Sequence, residues 1–478
     1  MLIPVACDYR SEKSPWQVYQ SVYPRHTVSF FLDSHAYQPP AQRYSCIGFA
    51  PFLELIVSKK RLCVRQNGKV RRLPQENFFT ELRRYLKKYR LPAGTRNAFR
   101  GGAVGYMGYE MAQLFEPVRF RRKKTWPGIP DACFGFYRDF LIYDHKLKKY
   151  RLLTHVQTAR GKISAKQKEA AGKILMQLAR VIETPLPETE AFQVEHFRPR
   201  ISRPAFRRMV RKAKNYIAAG DIYQANLSQR FSFGYTGSPL ALYGALRQIN
   251  PSPFASFLKI DDLNLLSSSP ERLISKRGSH CETKPIAGTR PRGSGRRGLE
   301  LERQLLRSEK EKAEHLMLVD LERNDLGRVC RWPTVRVREF MRVEKYSHVI
   351  HLVSKITGVL ELGRDAVDLL QALFPGGTIT GCPKIRCMQI IDELEPETRG
   401  IYTGSIGYLD YAGDMDMNIV IRTLALSNRK GFYQTGAGIV HDSTPDREYT
   451  ETLHKGRALE LALRRASQQN PRKSRGNS

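Results

Sequence analysis

The chain predicts a protein of two closely packed subdomains in which strands and helices alternate. Three observations carry that expectation. At 478 residues it exceeds what one ordinary core organises. Short β-like runs occur in both halves, beginning with Val28 to Leu32 and Phe52 to Val57. Amphipathic stretches with helical spacing alternate with them, the first around Phe78 to Tyr89.

The elements follow in order. Gly101 to Tyr109 (GGAVGYMGY) is too glycine-rich for a helix and predicts a buried strand with close backbone neighbours. Residues 162–183 predict a charged helix, and the Pro- and Glu-containing stretch from Glu183 to Glu190 is the best linker. An N-terminal subdomain of residues 1–190 and a second of 200–465 are therefore expected. Ser202 is placed to cap a helix with Pro204 in its first turn, running to about Ala219 and stopped by Gly220. Strands are expected at Phe254 to Ile260 and Leu263 to Ser267, then a helix from about Leu299 to Leu321. A strand near Thr334 to Arg338 precedes helices from Asp365 to Leu373 and Lys384 to Leu394. The last part reads as strands at Gly404 to Leu409, Met417 to Leu424 and Phe432 to Ala437, and a helix from Asp446 to about Arg465. Residues 466–478 are polar and basic, and disorder is expected there. No repeat is visible at periods of about 20–50 residues.

Composition excludes several classes. Lys and Arg number 80 against 46 Asp and Glu, a net charge of +34, the footprint one looks for in nucleic-acid binding. The cations recur almost everywhere, however, with no zinc-finger spacing, RNP-like run or helix-turn-helix signal. A generally basic surface is expected, not specific nucleic-acid binding. The eight cysteines form no CxxC pair, which fits reduced thiols in a cytoplasm. The apolar run before Asp8 and Arg10 is too short for a signal peptide, and no stretch approaches the ~20 apolar residues of a membrane span. A cytosolic protein without membrane contact is the expectation.

Several residue groups could do chemistry. Glu314 lies beside the apolar stripe Leu316, Met317, Leu318, Val319 and Leu321 of one predicted helix. Glu448, Glu451 and Lys455 stand at i, i+3 and i+7, so they share a helix face. Taken singly, these are a solvated carboxylate and a surface ion-pair ladder. Glu314 and Glu451 facing one pocket would suit Mg²⁺, which takes one or two protein carboxylates plus waters and substrate, with Glu448 behind them. Gly288-Thr289 and Gly436-Ala437-Gly438 leave backbone amides open to an anion, and Arg422 and Lys455 could supply cations to an acidic substrate.

Longer segments tie these residues together. They are GDIYQANLSQRF (Gly220 to Phe231), SPERL (Ser269 to Leu273), PIAGTRPRG (Pro285 to Gly293), EHLMLVDLERND (Glu314 to Asp325) and HLVS (His351 to Ser354). FPGGTITGCPKIRCMQIIDELEP (Phe374 to Pro396), GSIGYLD (Gly404 to Asp410) and GAGIVHDSTPDREYTETLHK (Gly436 to Lys455) follow. This set resembles the chorismate-utilising enzymes, in particular component I of aminodeoxychorismate synthase and of anthranilate synthase. The resemblance is dense over residues 202–465 and loose over the first 150 or so. It implies an α+β, two-subdomain, anthranilate-synthase-component-I-like fold, with antiparallel sheets in the core, helices outside, and the active site in the C-terminal part. By resemblance, Glu314 and Glu451 match magnesium ligands, with Glu448 beside them. Gly288, Thr289, Tyr402, Arg422, Gly436, Ala437, Gly438 and Lys455 match chorismate-contacting positions. Glu271 matches the acid that protonates the departing C4 hydroxyl, and His351 a histidine near the reacting ring.

The same resemblance narrows the reaction. Isochorismate- and salicylate-forming relatives carry a water-activating lysine where this chain has Gln224, so an amine nucleophile is expected. GDIYQANLSQRF and FPGGTITG are worded as in aminodeoxychorismate synthases. Phe31 to Ser34 and Pro251 to Ser256 depart from the motifs of the anthranilate synthase tryptophan pocket, so feedback by tryptophan is not expected. One residue points the other way. Ala287 stands where well-studied aminodeoxychorismate synthases have a nucleophilic lysine, and Lys284 falls on the opposite face of an extended segment. If C4 is aminated, ammonia must arrive directly or by two successive additions, or another group must substitute. No glutaminase signature is present, so ammonia is expected from a separate glutamine amidotransferase subunit in a heterodimer.

Overall fold

Neighbouring side chains of a strand point to opposite faces of its sheet, so a run such as Val28–Asp33 (VSFFLD) needs apolar cover on both sides. The computed structural model supplies it. It describes residues 2–34, 43–91, 99–121, 123, 125–158, 161–293, 295–345 and 349–468. Phe30 packs between two sheets, its ring centroid 4.7 Å from that of Tyr137, in a cluster with Leu258 and Leu265. Phe31 turns outward beneath helices, 5.3 Å from the Tyr19 ring. Leu265 and Leu266 divide in the same way.

The fold is α+β, two twelve-stranded sheets with helices on their outer faces. The first sheet runs from an edge at Leu2–Tyr9 to an edge at Gln193–Pro199, and the second from Ile286–Pro291 to Lys69–Pro74. Both are continuous across the two halves of the sequence. In the first sheet the halves meet where Phe31 opposes Phe257, in the second where Gly105 opposes Gly407. Close backbone on both sides of the strand explains the glycines of Gly102–Met107: across the seam, a Cβ on Gly102 would lie 2.2 Å from the Leu409 carbonyl oxygen. A Cβ on Gly105 would lie 1.9 Å from the Cys133 carbonyl oxygen, and one on Gly407 2.1 Å from that of Asp416.

Most elements fall where the sequence pattern puts them, including the Ser202-capped helix Arg203–Ala218 and the helix Lys384–Leu394. Three differ. The helix expected over Leu299 to Leu321 is two, Gly295–Arg307 and Glu309–Gly327, because Ser308 caps the second by accepting from the Glu311 amide. The strand expected over Met417 to Leu424 is also two: Met415–Asn418 lies in the second sheet and Thr423–Ser427 in the first. The last helix, Pro445–Gln468, includes residues 466–468, which the composition assigns to a disordered tail; residues 469–478 lie outside the described residues. Among the described residues no helix is long and apolar enough to cross a membrane.

The strand Gly102–Met107 gives a paired test. Gly105→Ala drives a methyl into backbone that cannot yield, and should cost at least about 2 kcal/mol in chemical denaturation. Gly172→Ala, in a helix with nothing within 4 Å of the added carbon, should stabilise by up to about 1 kcal/mol.

Candidate active site

Two strands make the floor. Gln224–Thr236 pairs antiparallel with Lys430–Ile439, setting Asn226 opposite Gly438 and Ser228 opposite Gly436. Ala225, Leu227, Ala437 and Ile439 form one face and join an apolar cluster with helices Arg203–Ala218 and Lys384–Leu394. The other face carries Gln224, Asn226, Ser228, Gly436 and Gly438. A Cβ on Gly438 would sit 2.4 Å from Gln224 Nε2; one on Gly436 would sit 2.3 Å from Asn226 Oδ1 and 2.7 Å from the Tyr402 hydroxyl. These glycines therefore make room for two carboxamides and a phenol, with no positive φ to require them. Ala437 has its methyl in the apolar layer, so only its backbone can serve the cleft.

Gln224 is buried and donates from Nε2 to Glu314 Oε1 at 3.1 Å. A carboxylate only accepts, which fixes which end of the amide faces it. Glu314 rides on helix Glu309–Gly327, pinned from beneath by the next residue: His315 is fully buried with Nε2 2.6 Å from Ser354 Oγ. Burial pulls the His315 pKa down to about 4, so this histidine is a neutral strut. On helix Pro445–Gln468, Lys455 Nζ lies 2.8 Å from Glu451 Oε1, both half in solvent, while Glu448 is buried. Among the described residues no group of three or more His, Cys, Asp or Glu is placed to hold a metal ion. Beside Glu314 a cavity of about 1080 Å³ opens, lined also by Tyr223, Met317, Asp320, Cys382 and His441.

Glu271 and Arg422 are brought together by two chain crossings between the sheets. Leu263–Ser269 lies in the first sheet and Arg272–Arg277 in the second, so Glu271 sits in the passage. Residues 419–422 make the return passage. The Ile419 amide donates to the Glu271 carbonyl at 3.0 Å, the Ser268 amide to the Arg422 carbonyl at 3.1 Å, and Ser269 Oγ to the Ile419 carbonyl at 2.6 Å. Arg422 takes a left-handed φ of 50° in making the turn. Glu271 is buried, and its Oε1 has no hydrogen-bond partner among the described residues. Desolvation pushes its carboxyl up to about 7, although Thr378, the Ile286 backbone, Arg422 and Lys455 pull the other way.

His351 faces the same region from strand Val349–Val359. Burial first, then the Arg422 charge, bring its pKa down to about 4, while the Gly288 backbone opposes that shift. It is therefore a neutral imidazole over most of the pH range. It pairs in register with Thr289, whose side chain lies outside the described residues. Gly288 bulges from its strand at φ 70°, and a Cβ there would meet Glu311 Oε2 and Leu305 Cδ1 at 2.8 Å. Ala287 is buried beside it, and Lys284 is turned to Glu344 at 3.0 Å.

Sequence reasoning missed what holds this floor. Arg399, 1% exposed, donates to Glu395 at 2.8 and 3.0 Å, to the carbonyls of Asn226 (2.5 Å) and Ile379 (3.0 Å), and to Thr403 Oγ1 (3.2 Å). Its guanidinium carbon lies 4.8 Å from the Tyr109 ring centroid and 5.7 Å from that of Tyr402. Glu395 also accepts from the Ser228 amide and hydroxyl at 2.9 and 2.7 Å. The ERND segment serves the interior as well: buried Asp325 pairs with Lys384, and Glu322 accepts from Thr283, with its carboxyl pushed up to about 8 by burial. All lay within or beside segments singled out in the sequence; the i,i+4 spacing of Glu395 and Arg399 was a signal for the ion pair, but nothing in the spacing marks the carbonyls that Arg399 also reaches.

Residues 33–460 match the chorismate-binding enzyme family. The chain is 44% identical to aminodeoxychorismate synthase component 1 of Bacillus subtilis over 371 residues, 76% of this chain and 77% of that protein. It is 38% identical to anthranilate synthase component 1 of Aquifex aeolicus over 466 residues, 94% of this chain and 92% of that one. Anthranilate synthase component I of Streptococcus pneumoniae superposes with a TM-score of 0.77 at 36% identity, covering 88% of this chain and 93% of that chain. The menaquinone-specific isochorismate synthase of Escherichia coli shares the fold, with a TM-score of 0.71 at 19% identity over 97% of this chain and 95% of that one. This chain belongs to the chorismate-binding enzyme family. It is an enzyme that uses chorismate, with component I of the two amine-adding synthases as close relatives.

The Glu271 environment gives a test with two signs. A carboxyl raised to about 7 in the fold, against an ordinary 4.5, leaves the folded state holding the extra proton between those values. Stability contributed by this group is thus full below pH ~4.5 and falls as pH rises toward 7. Glu271→Gln should lower turnover at least about 100-fold. It should also raise the melting temperature relative to wild type at pH 8, and not at pH 4.

Proposed function

We propose that this chain is component I of an aminodeoxychorismate synthase. With Mg²⁺ it aminates chorismate to 4-amino-4-deoxychorismate, taking ammonia from a separate glutamine amidotransferase subunit, on the route to 4-aminobenzoate and folate. The observation that carries this reading is the Glu271 carboxyl, buried beside Arg422 and pushed up to about 7. A carboxyl still protonated near neutral pH can give its proton to a departing hydroxyl, and an adjacent guanidinium can hold a substrate carboxylate. Gln224, tied to Glu314 through its amide, has no basic group to take a proton from water, which favours an amine as nucleophile.

The oxygen donors fit Mg²⁺, an ion content with one or two protein carboxylates, waters and substrate oxygens. Glu314 and Glu451 would hold it, with Glu448 behind them, and Gln224 would orient the Glu314 carboxylate. When bound, the ion supplies positive charge against a carboxylate of the substrate. Glu314→Gln, which keeps the size and removes the charge, should raise the Mg²⁺ concentration for half-maximal activity at least about tenfold, read by titration after chelation.

Anthranilate synthase component I is the second reading, and Ala287 favours it. That methyl is buried in its strand, and Lys284, committed to Glu344, does not replace a nucleophilic lysine. Under the first reading, ammonia therefore adds without a covalent lysine intermediate. Product analysis with chorismate, Mg²⁺ and an ammonium salt separates the two. A product that yields 4-aminobenzoate only after added aminodeoxychorismate lyase is the expected result; fluorescent anthranilate without lyase overturns it.

A further inference from the structure

We propose that Asn226 is a substrate-contacting residue of this cleft, its carboxamide oxygen accepting a hydrogen bond from an O–H or N–H group of the reactants. Asn226 is 7% exposed, and its Oδ1 has no hydrogen-bond partner among the described residues. A buried amide oxygen left without a donor is costly, and native proteins rarely tolerate one away from a functional site.

The placement of this orphan is what makes it informative. Asn226 stands on the cleft face of its strand, between two residues whose side chains each make a bond, although Gln224 Oε1 also lacks a partner among the described residues. Gln224 donates to Glu314 at 3.1 Å, and Ser228 donates to Glu395 at 2.7 Å. Asn226 alone of the three shows no such bond, yet its backbone is the most firmly held: its carbonyl accepts from Arg399 at 2.5 Å, and its amide donates to the Thr380 carbonyl at 2.9 Å. The side chain is thus fixed at its root and unsatisfied at its tip. The tip converges with the Tyr402 hydroxyl on one point above Gly436, 2.3 and 2.7 Å from where a Cβ would stand. Glycine at 436 keeps that point open.

The chemistry of the reactants says what an acceptor could take. The inference rests on chorismate as substrate and is independent of which amine product forms. The two carboxylates of chorismate only accept, so its C4 hydroxyl is its one donor; ammonia is the other donor in the reaction. Either would satisfy Oδ1, and kinetics distinguishes them.

The experiment compares the purified wild type with Asn226→Ala, Asn226→Asp, Gly436→Ala and Asn264→Ala. Asn264 is a control, a buried asparagine whose Oδ1 also lacks a partner but which lies at the far end of the strand Leu263–Ser269. Chorismate loss is followed, so the reading is the same whether the product is aminodeoxychorismate or anthranilate. Asn226→Ala should raise KM about tenfold for chorismate if Oδ1 takes the ring hydroxyl, or for ammonium if it takes the amine. Gly436→Ala, which displaces the same carboxamide, should raise the same KM, and Asn264→Ala neither. Asn226→Asp keeps the shape and an acceptor oxygen, so it should leave that KM nearer wild type than alanine does, and Gly436→Ala answers the question if the Asn226→Ala variant does not fold. Both KM values within twofold of wild type in folded Asn226→Ala, or in Gly436→Ala where Asn226→Ala does not fold, would overturn the proposal. So would a loss of kcat and melting temperature with unchanged KM.

Discussion

One buried cation sets the geometry of the cleft. Arg399 is almost wholly shut off from water, so its five N–H donors must be answered inside the protein, and they are answered by near neighbours at Glu395 and Thr403 and by remote segments at Ile379 and Asn226. Together these partners lie on the Asn226 strand, the FPGGTITG loop at Ile379, the Glu395 helix end and the turn after Tyr402. Glu110, from the N-terminal half, closes the arrangement by accepting from the Arg399 and Gly400 amides at 2.7 and 2.9 Å. Removing one member of such a buried pair typically costs about 3–5 kcal/mol, because its partner stays behind uncompensated. The floor strand, the glycine loop and the tyrosine cannot shift separately while the guanidinium holds all three.

The chemistry of the cleft comes from desolvation, which the two sheets impose. Glu271 and Arg422 stand on adjacent passages between the sheets, where backbone from both sides excludes water. Burial raises the carboxyl to about 7 even with two cations in reach, and the same burial with the Arg422 charge keeps His351 neutral. A protonated acid, a fixed cation and a neutral imidazole therefore coexist near neutral pH. Exposed on a single sheet, the carboxyl would ionise near its ordinary value.

The glycines illustrate a different division of labour. Gly436 and Gly438 look from the sequence like open amides for an anion; in the fold they also clear space for Asn226, Tyr402 and Gln224. Gly288 is required twice over, by its φ of 70° and by the helix that crosses close to it. Gly105 and Gly407 serve neither catalysis nor turn geometry; each clears the backbone of the next strand in its own half, at Cys133 and at Asp416.

The sequence by itself determined most strands and helices, because alternation, apolar runs and caps such as Ser202 are local signals. Through resemblance it also pointed to an enzyme that uses chorismate and supplied the candidate residues, since those lie in long ordered segments. Only the tertiary structure decided that the helix breaks at Ser308, where a serine's local bond competes with continued helix. It alone decided that the chain changes sheets at residues 419–422, a passage invisible to a pattern that reads apolar on both sides. It also separated side chains from backbone at the site, turning the Ala437 methyl away and leaving the Asn226 oxygen in the cleft. Arg399 shows why such things are not legible in a sequence. Its side-chain partners Glu395 and Thr403 stand four residues away on either side, but the carbonyls of Ile379 and Asn226 are remote, and no spacing of residue types records which carbonyls a fold will bring together.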